Sequence, residues 1–334
     1  MAQQPVKIGM MSFAHMHAGS YAHSIVSRQD TEMVGIADHD PARAQQMAER
    51  FGTVAFENYE ALLNAPGLEA VVVCSENVRH RALVEMAAQA GKHVLCEKPL
   101  ATTVADGEAM IAVCKQSGVQ LMTAFPCRYS PVMQRMKAAL DSGEPGRILA
   151  IRGTNRGRNP GGWFIKKAES GGGAVMDHTV HVTDLMRWLL QDEVKEVYAE
   201  ISNHIGHQEF DDVGFLSLTF HRGAFGTLDA SWSRPNAFPT WGDVTLEVVT
   251  ENGTLSMDMF AQNLVLYSDK TRSVSWSNWG GDMDNGLVAA FARALAEGAP
   301  VPISGEDGLR AAEVALAAYR SAELQAPVAL PLSA

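Results

Sequence analysis

The stretch Lys7–Ala22, KIGMMSFAHMHAGSYA, reads as a short buried strand over Lys7–Met11, a tight turn, and a helix over His17–Ser27. A strand, turn and helix in this order open a dinucleotide-binding fold, whose turn carries glycines as G-x-G-x-x-G. Here Ser12, Ala14 and His17 occupy the three glycine places. The three glycines serve separate ends. The first makes a tight turn, the second lets the backbone approach a pyrophosphate, and the third packs helix against strand. Serine can adopt the turn, alanine adds one methyl, and histidine is large for the packing position. The groups that hold the phosphates are the free N–H groups at the helix start, and these need no glycine there if the helix shifts slightly outward. The reading is therefore a nucleotide site kept in altered form, formed by Ser12, Phe13, Ala14 and His15, with His15 or His17 able to point toward phosphate or substrate.

The rest of the first third repeats the unit. The strands EMVGIAD, EAVVVCS, KHVLCEK and VQLMTAF are short, apolar and β-branched, and they alternate with helices of three- and four-residue apolar spacing. Gly52, Gly91 and Gly118 stand where those helices should stop. Repeated βα units imply a parallel sheet with helices on both faces. Asp38 ends the second strand, 21 residues after His17. An acid at that distance holds the ribose 2′-hydroxyl and repels the 2′-phosphate of NADP, so NAD is expected. Arg43, one helical turn on, leaves NADP open.

After Phe125 the pattern changes to successive strands joined by turn residues, with helices at Ala174–Leu190, Leu287–Glu297 and Glu306–Glu323. The expectation is α/β overall: a doubly wound Rossmann domain over residues 1–125, then an α+β domain over 126–334 with a largely antiparallel open sheet. A chain of 334 residues is long enough for two cores. Its formal charge of −11 argues against a nucleic-acid or anionic-membrane partner, since either needs a basic surface. No apolar run approaches the roughly 20 residues that span a bilayer, and the N-terminus has no apolar signal region. The cysteines Cys74, Cys96, Cys114 and Cys127 lack CxxC spacing, which fits unpaired thiols in a reducing cytoplasm.

Two segments carry chemistry. CEKPL, Cys96–Leu100, lies at the carboxyl end of a strand, where open parallel sheets bind ligands. Pro99 holds Lys98 extended, and Lys98 could donate to a substrate hydroxyl with Glu97 beside it. An ordinary strand-end salt bridge is the plainer alternative. In GGGAVMDHTVHVTDLMRWLL, Gly171–Leu190, Asp177 and His181 are four apart and share one helix face, which Asp184 continues. An aspartate beside a histidine suits general acid–base work, against the plainer reading of a helix-surface pair. The pairs His15/His17 and His178/His181, with Asp177 and Asp184 as oxygen donors, could suggest a metal. No HExxH or Cys/His framework accompanies them, so no metal is expected.

Taken together, three segments resemble the Gfo/Idh/MocA family of oxidoreductases. VVVCSENVRHRALVEMAAQAGKHVLCEKPLATT is similar to its stretch ending in Glu-Lys-Pro. WFIKKAESGGGAVMDHTVHVTDLMRWL is similar to its Trp, Gly-Gly-Gly and Asp-x-x-x-His segment, and CRYSP to its Arg-aromatic-x-Pro turn. The resemblance implies a Rossmann domain and a C-terminal domain whose sheet mediates homo-oligomers. It implies an NAD(P)-dependent redox step on a hydroxyl of a sugar or polyol, with Lys98, Asp177 and His181 as the catalytic group. Ser75, Asn77, His80, Glu97 and Lys98 would join Asp38 and Arg43 in cofactor binding, Arg128 would face the nicotinamide, and Trp163 would border the substrate pocket. The chain departs from the family at Ser75-Glu76-Asn77, where Thr-Pro-Asn is usual, and at the glycines. Redox-neutral chemistry with a retained NAD, and a non-catalytic sugar- or dinucleotide-sensing role, are the alternatives.

Overall fold

A computed structural model of the chain describes residues 4–332 except 207–208, 239, 262, 271 and 279–280. The chain divides into two compact units. The first takes the chain up to Pro126 together with Ala168–Gly171 and Asp284–Leu309; the second holds Cys127–Lys167, Gly172–Met283 and the chain from Arg310.

The first unit contains β1 (Val6–Met11), α1 (Ala18–Ser27), β2 (Thr31–Ala37), α2 (Pro41–Phe51), α3 (Tyr59–Leu63), β3 (Ala70–Val73), α4 (His80–Gln89), β4 (His93–Cys96), α5 (Val104–Gln116) and β5 (Leu121–Thr123). The strands form one sheet in the order β2-β1-β3-β4-β5, every pair parallel. Every residue of β3 is buried, as expected of a strand covered on both faces. From β1 the chain runs to β2 on one side, and β3 lies on the other. The ends of β1 and β3 are thus the topological switch point where such sheets bind ligands.

The second unit uses α6 (Pro131–Asp141), β6 (Ile148–Gly157), the first residue of the short α7 (Lys167–Ser170), which belongs to the first unit in all but Lys167, α8 (Ala174–Leu190), β7 (Val194–Ser202), β8 (Val213–Phe220), β9 (Phe225–Asp229), β10 (Gly242–Thr250), β11 (Gly253–Asp258), and the hairpin of β12 (Asn263–Ser268) with β13 (Ser273–Asn278). Then come α9 (Met283–Glu297), which belongs almost wholly to the first unit, α10 (Gly305–Leu324), whose larger part belongs to the second, and β14 (Val328–Ala329). Seven strands line up as β11-β10-β6-β9-β8-β7-β14. All neighbours are antiparallel except β6 and β9. In β8, Leu216, Leu218 and Phe220 face the core, while Phe215 on the other face is 55% exposed. That period of two marks a sheet with one covered face. The cover is α8, buried along nearly its whole length. Val175, Val182, Leu185 and Met186 enter the same apolar cluster as Leu216, Leu218 and Leu246.

Candidate active site

The altered fingerprint keeps the turn that a glycine would make. Ser12 has φ +74°, the left-handed region that L-residues enter at a cost of about 1–2 kcal/mol. Its hydroxyl accepts from Ala14 N at 3.2 Å and donates to Asp38 Oδ2 at 3.3 Å. Phe13 N donates to the same oxygen at 2.7 Å. Asp38, buried at the end of β2, therefore anchors the turn after β1. Arg43 grips the carboxylate with two bonds, Nε to Oδ2 at 2.7 Å and Nη2 to Oδ1 at 2.6 Å, and Asp40 N donates to Oδ1 at 3.0 Å. Burial pushes this carboxyl up, but Arg43 and the N–H groups of Asp40 and Phe13 hold it below the ordinary range.

His15 and His17 turn inward onto Glu97, a residue with no exposed surface. His17 Nδ1 lies 3.0 Å from Glu97 Oε1, His15 Nδ1 lies 3.5 Å from the same atom, and His17 N donates to His15 Nδ1 at 3.2 Å. The ligand atoms of the three residues fall within 4.8 Å of one another, and these close contacts already join them. Glu97 Oε2 accepts from Lys98 N at 2.8 Å. Burial opposes its charge, yet His15, His17 and Lys98 together hold Glu97 ionised far below the usual carboxylate range. On His17, burial pushes the imidazole down and Glu97 pulls it up by more. Sequence spacing pairs Glu97 with Lys98 and sets the two histidines apart from both; the fold joins all four.

The other first-unit residues line the same strand ends. His80 Nδ1 donates to the carbonyls of Pro99 at 3.0 Å and Leu100 at 3.3 Å, which fixes the segment after Lys98. Asn77 Nδ2 donates to Ser170 O at 2.8 Å, and Ser75 Oγ to Glu76 O at 3.1 Å. All of these side chains are buried.

In the second unit, the start of α8 is capped from outside the helix. Ala174 N donates to Asp211 O at 2.9 Å, Val175 N to Asp211 Oδ2 at 2.7 Å, and Gly173 N to Asp211 Oδ1 at 2.9 Å. The Tyr319 hydroxyl accepts from Gly173 N at 3.1 Å and Met176 N at 3.2 Å, and donates to Asp211 Oδ1 at 2.8 Å. These bonds take up the backbone donors that a helix start otherwise leaves without partners. They also account for the bare backbone there. A Cβ on Gly173 would come within 2.1 Å of Asp211 O, and one on Gly172 within 2.3 Å of the Tyr319 hydroxyl.

Asp177 sits in the first turn of this capped helix. Its Oδ2 lies 3.2 Å from His178 Nε2 and accepts from Trp232 Nε1 at 3.3 Å. His178 Nδ1 in turn contacts Asn155 O at 2.8 Å, so both ring nitrogens face oxygen. His181, one turn on and buried, places Nδ1 3.9 Å from Cys127 Sγ. Arg128 makes two bonds to buried Asp184, Nε to Oδ2 at 2.8 Å and Nη2 to Oδ1 at 2.6 Å, and lies over Trp188. Trp163 stacks on Phe164 with centroids 3.9 Å apart, beside Phe210 and Trp232 in one aromatic cluster.

Three of these residues escape a reading by sequence. His178 follows Asp177 directly, and adjacent helix residues do not normally face each other; its ring lies where Gly157 of β6 has no side chain and contacts Asn155 O. Asp211 and Tyr319 come from a loop and a distant helix, and no local signal ties them to α8.

Residues 6–125 match the family model described as "Oxidoreductase family, NAD-binding Rossmann fold", and residues 133–256 match the "GFO/IDH/MocA C-terminal domain". The chain is 29% identical over 321 residues to myo-inositol 2-dehydrogenase of Thermotoga maritima, covering 93% of this chain and 94% of that one. It is 30% identical over 297 residues to 1,5-anhydro-D-fructose reductase of Ensifer adhaerens, covering 82% and 86%. The crystal structure of GenD2 from gentamicin A biosynthesis, in complex with NAD, shares the fold with a TM-score of 0.90 at 24% identity, over 98% of this chain and 97% of that one. A parallel Rossmann sheet, a mostly antiparallel second sheet and matches to both family domains make this chain a member of the GFO/IDH/MocA oxidoreductase family.

Proposed function

We propose that this chain is an NAD-dependent dehydrogenase that oxidises a hydroxyl of a sugar or polyol, with residues 1–125 as the nucleotide domain and 126–334 as the substrate and assembly domain. The observation that carries the reading is the Asp38 carboxylate, held under the β1–α1 turn at the switch point of the sheet. The turn fits the cofactor, because Ser12 takes the left-handed conformation of the first fingerprint glycine. Ser12, Phe13, Ala14, His15 and Asp38 would hold the dinucleotide, with Arg43, Ser75, Asn77, His80, Glu97, Lys98 and Arg128 as its further neighbours. The nicotinamide, when bound, supplies the hydride acceptor. NAD is favoured because a carboxylate repels a 2′-phosphate; Arg43 is the residue through which NADP would be accepted.

Lys98, Asp177 and His181 are the proton-handling side chains of the proposal, and Trp163 contributes to the substrate pocket. Lys98 donates to the substrate oxygen and stabilises its charge as the proton leaves. Asp177 and His181 take and pass on that proton. Exposed Phe215 and Phe225 on the outer face of the seven-stranded sheet support assembly of like copies through that sheet. The four cysteines are buried and none is in a disulfide, which fits a reducing cytoplasm.

The test is NADH formation on a panel of polyols and sugars by wild type, Lys98→Ala and Asp177→Asn. Loss of roughly 10²–10⁴-fold in kcat in both variants, with NAD affinity retained, is expected of general acid–base groups. Substrate turnover without net NADH would move the reading to redox-neutral chemistry. A wild type that binds neither NAD nor NADP would move it to sensing.

A further inference from the structure

Three arginines converge around the end of β6: Arg156, Arg158 and, from the segment after β9, Arg234. Two of them are committed to carboxylates. Arg156 Nε lies 3.0 Å from Asp243 Oδ2 and 3.9 Å from Asp229 Oδ2, and Arg234 pairs with Asp243 through Nη2. Arg158 is different. Its Nη1 donates to Asn236 O at 3.3 Å and its guanidinium lies over the Trp241 ring, 5.7 Å from the centroid. Among the described residues it forms an ion pair with no carboxylate, and its Nε, like that of Arg234, is buried without a hydrogen-bond partner. A buried donor left unfilled costs about 1–3 kcal/mol, and such an exception in a native fold calls for an explanation.

The surroundings supply one. Arg158 follows Gly157, and the side of Gly157 that a Cβ would occupy is bordered by His178 Cε1 at 2.6 Å and Trp241 Nε1 at 3.2 Å. The guanidinium thus rests on an indole that, together with His178, the partner of Asp177, lines the bare side of Gly157. Nη1 is spent on Asn236, which leaves the Nε–Nη2 edge, the edge whose two parallel N–H groups match a carboxylate or phosphate. The formal charge of the whole chain is −11, so general electrostatics do not attract an anion here; a local, fixed guanidinium would have to do so.

We propose that Arg158 binds an oxyanion carried by the substrate, so that this enzyme acts on an acidic sugar or polyol, a sugar acid or a sugar phosphate, rather than on a neutral one. The inference rests on the dehydrogenase reading for its role in turnover, while the binding step can be measured without turnover. Trp241 backs the guanidinium, the Nε–Nη2 edge takes two oxygens of the anion, and the hydroxyl-bearing carbons of the same molecule extend toward Asp177.

The experiment is calorimetric titration of the full chain at saturating NAD with D-gluconate, D-glucose 6-phosphate and neutral D-sorbitol, on wild type, Arg158→Gln and Arg158→Lys. At least one anion is expected to bind tenfold or more tightly than sorbitol. That gap should vanish in Arg158→Gln, return in part in Arg158→Lys, and shrink in wild type at high salt. Preference for gluconate identifies a sugar acid, and preference for the phosphate identifies a sugar phosphate. In turnover, Arg158→Gln should raise KM for the anionic substrate tenfold or more and leave kcat within threefold. Equal affinity of wild type for all three compounds overturns the proposal, and this arm stands even if Arg158→Gln fails to fold. So does an equal loss for sorbitol, or a loss confined to NAD affinity. The dehydrogenase reading fails separately: Lys98→Ala would then turn over normally while the anion preference persists.

Discussion

His17 Nδ1 lies 3.0 Å from Glu97 Oε1, and the carboxylate in this contact has no exposed surface. A histidine at the place of the third fingerprint glycine is thereby tied to the acid that precedes Lys98. The pair has a pH signature. The folded value of His17 is raised above its ordinary one, so its stabilising contribution is complete below the unfolded value of about 6.5 and fades as pH rises through the folded value. Wild type should lose stability relative to His17→Gln between about pH 6 and pH 8. Urea midpoints for the two proteins at both pH values measure this. A wild-type advantage that is constant or grows with pH contradicts the pairing.

Ser12 supports two opposed expectations that nearly cancel. Glycine would relieve a left-handed residue, worth about 1–2 kcal/mol, and would lose the hydroxyl contacts to Ala14 N and Asp38, worth about 1 kcal/mol net. Ser12→Gly should therefore stay within about 1 kcal/mol of wild type and retain NAD binding. Ser12→Val keeps the strain, adds a β-branch and removes the hydroxyl, and should cost more than about 2 kcal/mol. Thermal unfolding with and without NAD distinguishes the two variants.

Asp38 holds the turn and, in the proposal, the ribose. Asp38→Ala should weaken NAD binding tenfold or more, about 1.4 kcal/mol, and narrow the preference for NAD over NADP, because it removes both an acceptor and a repelling charge. Arg43→Ala should leave the turn in place, since Phe13 N and Asp40 N still reach Asp38, and should weaken NADP more than NAD. Titrations of both cofactors on both variants decide this. An unchanged NAD/NADP ratio in Asp38→Ala would place discrimination elsewhere.

Tyr319 and Asp211 hold the helix that carries Asp177 without standing beside Asp177 in sequence. Tyr319→Phe removes one hydroxyl that accepts from Gly173 N and Met176 N, at a cost of about 1–2 kcal/mol in stability. If the cap positions Asp177, kcat should also fall about tenfold with KM little changed, the pattern of a lost transition-state interaction. Asn58→Ala, which uncaps α3 by removing the bond to Ala61 N, should cost about 1 kcal/mol and leave kcat alone. Equal kcat in both variants would reduce Tyr319 to an ordinary structural residue.

Local patterns along the chain suffice for the five strands and for α1, α2, α4 and α5 of the first unit, the change to a second sheet after Phe125, and the helix over Ala174–Leu190. β-branched runs, three- and four-residue apolar spacing and glycine stops act over a few residues and are legible in one dimension. The same reading singles out Asp38, Lys98 and Asp177, because distance from the first turn, strand-end position and the four-residue helix spacing to His181 are countable. Helix α6, behind Pro131, and the five-residue α3 do not stand out, being short segments beside stronger signals. Which polar groups meet is settled by the folded chain alone. Glu97 lies 80 residues from His17, Tyr319 lies 146 from Gly173, and Asn155 lies 23 from His178. Burial makes each of these partners necessary, since an unfilled polar group in the interior is costly. The identity of the partner depends on which strand end or helix the fold brings within about 3 Å, and no spacing rule along the chain encodes that distance.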